Sequence, residues 1–144
     1  MQPTLIESLN SMIAKNRAAL EACDVAASRM HGVVPRYRVR ELAADHLRRI
    51  DSLSGSVHEL GGQPTRDKAD LAVDRGELKS LDSDQHRLQA LLQNESQLTE
   101  AYAQLLQGSP NLPAVERLVQ RQYRRQRTAS QWLRERVAQH AASA

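Results

Sequence analysis

Apolar residues recur at intervals of three and four along four stretches of the chain, which is the spacing of one face of an α-helix. These stripes predict helices over residues 4–30, 36–60, 84–107 and 113–140. Thr4 and Glu7 have the spacing of a capping box at the start of the first helix. Two glycines and a proline within 61–64 mark a strong stop after the second. The pattern therefore predicts an all-α protein.

The lengths of the links predict how these helices are connected. Short links join the first helix to the second and the third to the fourth, so each pair is expected to form an antiparallel hairpin. The link over residues 61–83 is long enough to travel the roughly 36 Å of a 24-residue helix and return to the starting end. Within this link, residues 67–81 have weak helical character. We therefore expect one domain, residues 1–144, folded as a ferritin-like antiparallel four-helix bundle with one long crossover.

Polar residues interrupt all four apolar stripes near the middle of each helix. The interrupting residues are Asn16, His46, Glu95, Gln122 and Gln126. Because mid-helix positions lie at similar heights in a bundle, we expect these side chains to meet in one layer of the core. A buried polar group costs several kcal/mol if unpaired, so they must pair with each other, with water or with an ion. Glu95 beside His46 is expected to make a charge-assisted hydrogen bond.

Carboxylates and histidines on facing helices are also how bundles bind pairs of iron or manganese ions. Such a centre needs about four carboxylates and two histidines, including Glu-x-x-His on two helices. This chain contains no Glu-x-x-His. The candidate ligands for iron or manganese are Glu21, His46 and Glu95. We therefore expect a degenerate site without a metal cofactor, and an occupied metal site is the alternative.

Several short motifs resemble a bacterial ferritin-like family of unknown function. They are Leu-Gly-Gly-Gln-Pro at 60–64, Asn-Glu-Ser at 94–96 followed by Ala-Tyr at 101–102, Val-Gln-Arg-Gln-Tyr at 119–123, and Ser-Leu-Asn-Ser-Met-Ile at 8–13. The resemblance spans nearly the whole chain and implies a ferritin-like fold without an established activity. Glu95 matches an acidic position of that family. Ser130 stands where the family tends to have histidine, and Glu21 is what remains of its acidic residues in the first helix, so the resemblance implies an incomplete metal site.

The composition of the chain limits the classes of function and the cellular location that we expect. The net charge of +3, from 20 basic and 17 acidic residues, is too small to imply a nucleic-acid or membrane partner by itself. The single cysteine, Cys23, excludes an intrachain disulfide and is expected to be a small core residue. No nucleophile–base pair or glycine-rich phosphate loop is evident, so catalysis is not expected. No apolar stretch approaches the ~20 residues that span a bilayer, and a secretory leader is not evident, so we expect a cytoplasmic protein.

The last predicted helix is rich in arginine, with seven arginines against two glutamates. The candidate anion-binding residues are Arg117, Arg121, Arg124 and Arg125. A nucleic-acid partner is one interpretation, but aromatic residues do not interleave with these arginines as base stacking requires. A solvated face is therefore favoured. We expect a non-catalytic bundle that acts through protein contacts, as a homodimer or with a partner protein; the alternatives are a metal-binding or oxidase protein and a nucleic-acid-binding bundle.

Overall fold

The computed structural model describes residues 4–108 and 110–143, with side chains through Gln139. Its helices are α1 (Leu5–Arg29), α2 (Val33–Glu59), α3 (Arg75–Ser80), α4 (Asp84–Gln107) and α5 (Pro113–Ser143). The predicted domain also includes residues 1–3, 109 and 144, which lie outside the described residues. In the described part of the chain, every helix is too short or too polar to cross a membrane.

The four long helices form a ring in which α1 packs against α2 and α4, and α5 packs against α4 and α2. The connection between α2 and α4 runs along α1. The Asn10 side chain donates to the carbonyl of Gln63 near the start of α1, and the amide of Ala69 donates to the carbonyl of Ala14 further along. At the far end, the Asp84 carboxylate accepts hydrogen bonds from the backbone N–H groups of His31 and Gly32. Thus α4 begins where α1 ends and runs antiparallel to it.

The ends of α2 and the structure of the crossover differ from the prediction, and nearby residues explain why. Helix α2 begins at Val33, three residues before the predicted 36. Pro35 does not delay this helix, because a proline in the first turn lacks only an N–H that would have no intrahelical partner. Helix α2 ends at Glu59, just before Gly61, whose φ of +82° suits glycine. The crossover also contains α3, where Asp74 caps the helix by accepting from the N–H of Glu77 at 2.8 Å.

Two separate apolar clusters form the core, one towards each end of the bundle. The first includes Cys23, Ala26, Val39, Leu88, Leu91 and Leu133. The second includes Leu9, Ile13, Ile50, Leu53, Val57 and Val119. Alanine is the most frequent residue in the second half of α1. Its small side chain allows neighbouring helices to pack closely. The middle of the bundle, between the two clusters, is therefore where buried polar side chains collect.

Candidate functional site

The five polar residues that interrupt the predicted stripes are all buried, and the structure connects them. Their exposed fractions are 0% for Asn16, His46, Glu95 and Gln126, and 5% for Gln122. All four long helices contribute, because α1 supplies Asn16, α2 His46, α4 Glu95, and α5 the two glutamines. We call this set, together with Arg49, Tyr102 and Cys23 described below, the polar layer.

The centre of the polar layer is a hydrogen-bonded pair between His46 and Glu95. Nε2 of His46 lies 2.9 and 3.0 Å from the two carboxylate oxygens of Glu95, while Nδ1 lies 2.8 Å from Oδ1 of Asn16. The amide nitrogen of Asn16 donates to the carbonyl of Met12, so its oxygen is the atom left to face the ring. Both ring nitrogens therefore face acceptor oxygens, which is the hydrogen-bonding pattern of an imidazolium beside a carboxylate. A guanidinium nitrogen of Arg49 also lies 3.4 Å from Nδ1.

Glu95 is held from a second side by Gln126. Nε2 of Gln126 donates to the Glu95 carboxylate at 3.0 Å and to the Glu95 backbone carbonyl at 2.9 Å. Burial raises the pKa of the Glu95 carboxyl, but the charge and hydrogen bond of His46 and the hydrogen bond from Gln126 outweigh burial, so the pKa is lowered overall. Glu95 is therefore the negative charge of the layer.

A second branch of the layer is built on Tyr102. Its hydroxyl donates to Oε1 of Gln122 at 2.7 Å and accepts from the amide nitrogen of Asn16 at 3.0 Å. Burial raises the pKa of Tyr102 to about 12, so the phenol remains protonated at neutral pH. Asn16 therefore joins the two branches, because its oxygen faces His46 and its nitrogen faces Tyr102.

Sequence reasoning missed the cation that completes the layer. Arg49 is only 3% exposed, and one of its terminal nitrogens donates to Oε1 of Gln126. Its Nε and other terminal nitrogen are buried without a hydrogen-bond partner among the described residues. Arg49 follows His46 by three residues, so helical spacing places both on one face. That spacing was the available signal, but arginine is usually assigned to the surface.

Glu21, predicted as a metal ligand, does not lie in the polar layer. Its carboxylate is 27% exposed and pairs with Lys68 at 3.2 Å and Arg75 at 3.4 Å. These partners belong to the crossover that runs along α1, and the sequence does not show that they come so close. The expectation that Glu21 joins His46 and Glu95 in a ligand set is therefore wrong.

Cys23 takes the place in the layer that Glu21 was expected to fill. It is fully buried, and its sulfur, a ring nitrogen of His46 and a carboxylate oxygen of Glu95 all lie within 4.8 Å of one another. Burial, and then the negative charge of Glu95, raise the pKa of the Cys23 thiol well above its ordinary value. The residue is therefore a protonated thiol beside an ion pair.

The donor set does not fit a pair of iron or manganese ions. Among the described residues, the layer offers one carboxylate, one imidazole, one thiol and several amides, whereas a dinuclear centre uses about four carboxylates and two histidines. Dinuclear centres place a glutamate and a histidine three residues apart on one helix. On α2, the two buried polar residues with this separation are His46 and Arg49. The buried guanidinium of Arg49 also adds a positive charge where two cations would have to bind.

The predicted anion-binding arginines of α5 lie on the surface. Arg117, Arg121, Arg124 and Arg125 are all exposed. Arg125 pairs with Asp45 at 2.8 Å. Arg127 lies over the ring of Tyr123, and Arg38 lies over Trp132 at 5.0 Å from the ring centre. Each of these rings also packs against the core and has an arginine on a face, so neither is free to stack on a nucleic-acid base.

Comparison with known proteins identifies the fold. A solved ferritin-like, diiron-carboxylate protein from Bacillus anthracis has a TM-score of 0.78 and 17% sequence identity, covering 92% of this chain and 94% of that one. A two-domain protein from Anabaena variabilis, with DJ-1/ThiJ/PfpI-like and ferritin-like domains, has a TM-score of 0.79 and 16% identity. That match covers 96% of this chain and 37% of the Anabaena chain. No family model and no curated sequence matches this chain.

These similarities confirm the predicted ferritin-like bundle of two hairpins joined by a long crossover. At identities of 17% and 16% they concern the fold, not the metal content of this chain. The side chains of the polar layer, and not the fold, therefore determine the chemistry of this site.

Proposed function

We propose that this chain is a non-catalytic ferritin-like bundle that acts through contacts with other protein surfaces and lacks a dinuclear metal centre. One observation carries the absence of a dinuclear centre: the middle of the bundle contains the His46 ring, hydrogen-bonded at both nitrogens, and the Arg49 guanidinium around a single carboxylate, Glu95. Protein cations and their hydrogen bonds occupy the layer in which diiron bundles place metal ions.

Exposed apolar side chains at the start of α2 support a role in protein contacts. Val33, Val34 and Tyr37 are 70%, 65% and 63% exposed, and they lie within two turns of one helix end. Large apolar residues grouped on a surface mark interaction sites more often than isolated ones do. We propose a second copy of the chain as the partner for this surface; a symmetric dimer would bury the same apolar patch on both subunits.

Metal analysis tests the absence of a dinuclear centre. Protein purified without chelator and incubated with ferrous iron or manganese under anaerobic conditions is expected to retain far less than one ion per chain. Elemental analysis after desalting provides the measurement. Retention of two iron or manganese ions per chain, lost in Glu95→Gln, would overturn the proposal and establish the diiron or dimanganese alternative.

Sedimentation velocity tests the contact surface. Wild-type protein is expected to sediment as a dimer and Tyr37→Glu as a monomer, because the new carboxylate would be desolvated in the interface. The matched control is Leu112→Glu, since Leu112 is 41% exposed at the opposite end of the bundle, and this variant should remain dimeric. A monomeric wild type, or a Tyr37→Glu variant that still dimerises, would refute this part of the proposal.

A further inference from the structure

The polar layer contains a compact ligand set that the proposed function does not use. Cys23, His46 and Glu95 are each completely buried, and their donor atoms lie within 4.8 Å of one another. The sulfur of Cys23 lies beside the hydrogen-bonded pair of His46 and Glu95. A thiol, an imidazole and a carboxylate are three of the donor types that zinc prefers.

We propose that Cys23, His46 and Glu95 bind a single zinc ion. Zinc bonds of about 2.0–2.3 Å in tetrahedral geometry separate the ligand atoms by roughly 3.4–3.6 Å. Nε2 of His46 and the nearer oxygen of Glu95 are 2.9 Å apart, so they must separate by about 0.5 Å. No pair of donor atoms is more than 4.8 Å apart, so the sulfur must approach the other two ligand atoms by no more than about 1.3 Å. The fourth tetrahedral position is left for a small ligand such as water.

The surrounding hydrogen bonds already orient two of the three ligands. A histidine that binds a metal usually donates its other ring N–H to an oxygen acceptor, which fixes the tautomer. Nδ1 of His46 is placed for this role at 2.8 Å from Oδ1 of Asn16, which leaves Nε2 for the ion. Gln126 donates to Oε1 of Glu95 at 3.0 Å and fixes the carboxylate in the same way.

The net charge of the polar layer stays the same when zinc binds. Before binding, both ring nitrogens of His46 face acceptor oxygens, as in an imidazolium, Glu95 is a carboxylate and Cys23 is a thiol. Binding releases one proton from the thiol and one from Nε2 of the imidazolium to solvent, while the ion adds two positive charges. The net charge of the layer, including Arg49, is therefore unchanged. A second ion would add charge that no remaining carboxylate in the layer can neutralise, so the site accepts one ion.

Cobalt(II) provides the test, because it occupies zinc sites and a cobalt–thiolate bond gives a charge-transfer absorption band in the near ultraviolet. Titration of the apoprotein with cobalt chloride is expected to produce this band, saturating at one cobalt per chain, and added zinc should abolish it. The Cys23→Ala variant is expected to lose the band completely. The matched control is Glu21→Gln, which removes a carboxylate of the same helix outside the layer and should keep the band.

Thermal unfolding gives a second readout that does not depend on cobalt. Zinc should raise the melting temperature of wild type and Glu21→Gln, because an ion that binds the native state stabilises it, and should leave Cys23→Ala unchanged. Circular dichroism of Cys23→Ala without metal is the check that the variant folds. Absence of the charge-transfer band in folded wild-type protein equilibrated with cobalt would refute the zinc site. That result would leave the iron and manganese analysis, and thus the proposed function, unaffected.

Discussion

Replacing Glu95 by alanine is expected to lower the free energy of unfolding by about 3–5 kcal/mol. The substitution leaves the charges of His46 and Arg49 buried in the core without an anion, and it removes an acceptor of Gln126. Removing one partner of a buried ion pair is costly for this reason, even where the complete pair adds little stability. Urea unfolding at neutral pH, followed by circular dichroism, measures the difference.

The control for this variant is Glu100→Ala, which removes an exposed carboxylate of the same helix and should change stability by no more than about 0.5 kcal/mol. A double-mutant cycle with His46→Ala isolates the pair. We expect a coupling free energy within the range of about 0.5–3 kcal/mol that is typical of residues in one hydrogen-bonded network. Additive effects of Glu95→Ala and His46→Ala would show that the two side chains do not interact as the structure places them.

Asn94→Leu is expected to cost about 2–4 kcal/mol, because it leaves two buried backbone groups without partners. The Asn94 side chain accepts from the N–H of Val73 and donates to the carbonyl of Val73, both at 2.9 Å. These two bonds attach the crossover to α4 in a site where Asn94 is completely buried. The expected readouts are a lower free energy of unfolding and faster hydrogen exchange at the amide of Val73.

A neighbouring contact provides the comparison for Asn94. Gln97 also accepts from a crossover amide, that of Ala72 at 2.6 Å, but its side chain is exposed and water can take its place. Gln97→Ala should therefore cost less than about 1 kcal/mol. Equal losses in Asn94→Leu and Gln97→Ala would mean that burial of the amide pairing does not decide its contribution.

The fold could be predicted because its determinants are local in the sequence. Helical periodicity defines the stripes, and two short links with one long link restrict the topology to two hairpins and a crossover. Polar residues at the middle of all four stripes also pointed to a shared layer. His46 and Glu95 could be paired in this way because α2 and α4 have similar lengths, 27 and 24 residues, and each of these residues lies near the midpoint of its helix.

The parts that escaped prediction depend on contacts between distant segments. Glu21 was expected to face the layer, but Lys68 and Arg75 of the crossover attract it outward. The partner of Asn94 is crossover backbone, which leaves no pattern in side-chain types. Arg49 lies on the same face as His46, yet composition alone does not show that a guanidinium is buried beside an imidazolium. Sequence periodicity locates a layer, but it does not determine its charge balance.

The most direct test of the polar layer is a high-resolution crystal structure. The crystals would be grown with excess ferrous iron, and anomalous scattering would be measured at the iron absorption edge. We expect no iron peak between the four long helices, Arg49 in hydrogen-bond contact with Gln126, and Glu95 within hydrogen-bonding distance of His46. Two iron peaks bridged by the Glu95 carboxylate, with Arg49 displaced from the core, would contradict this account.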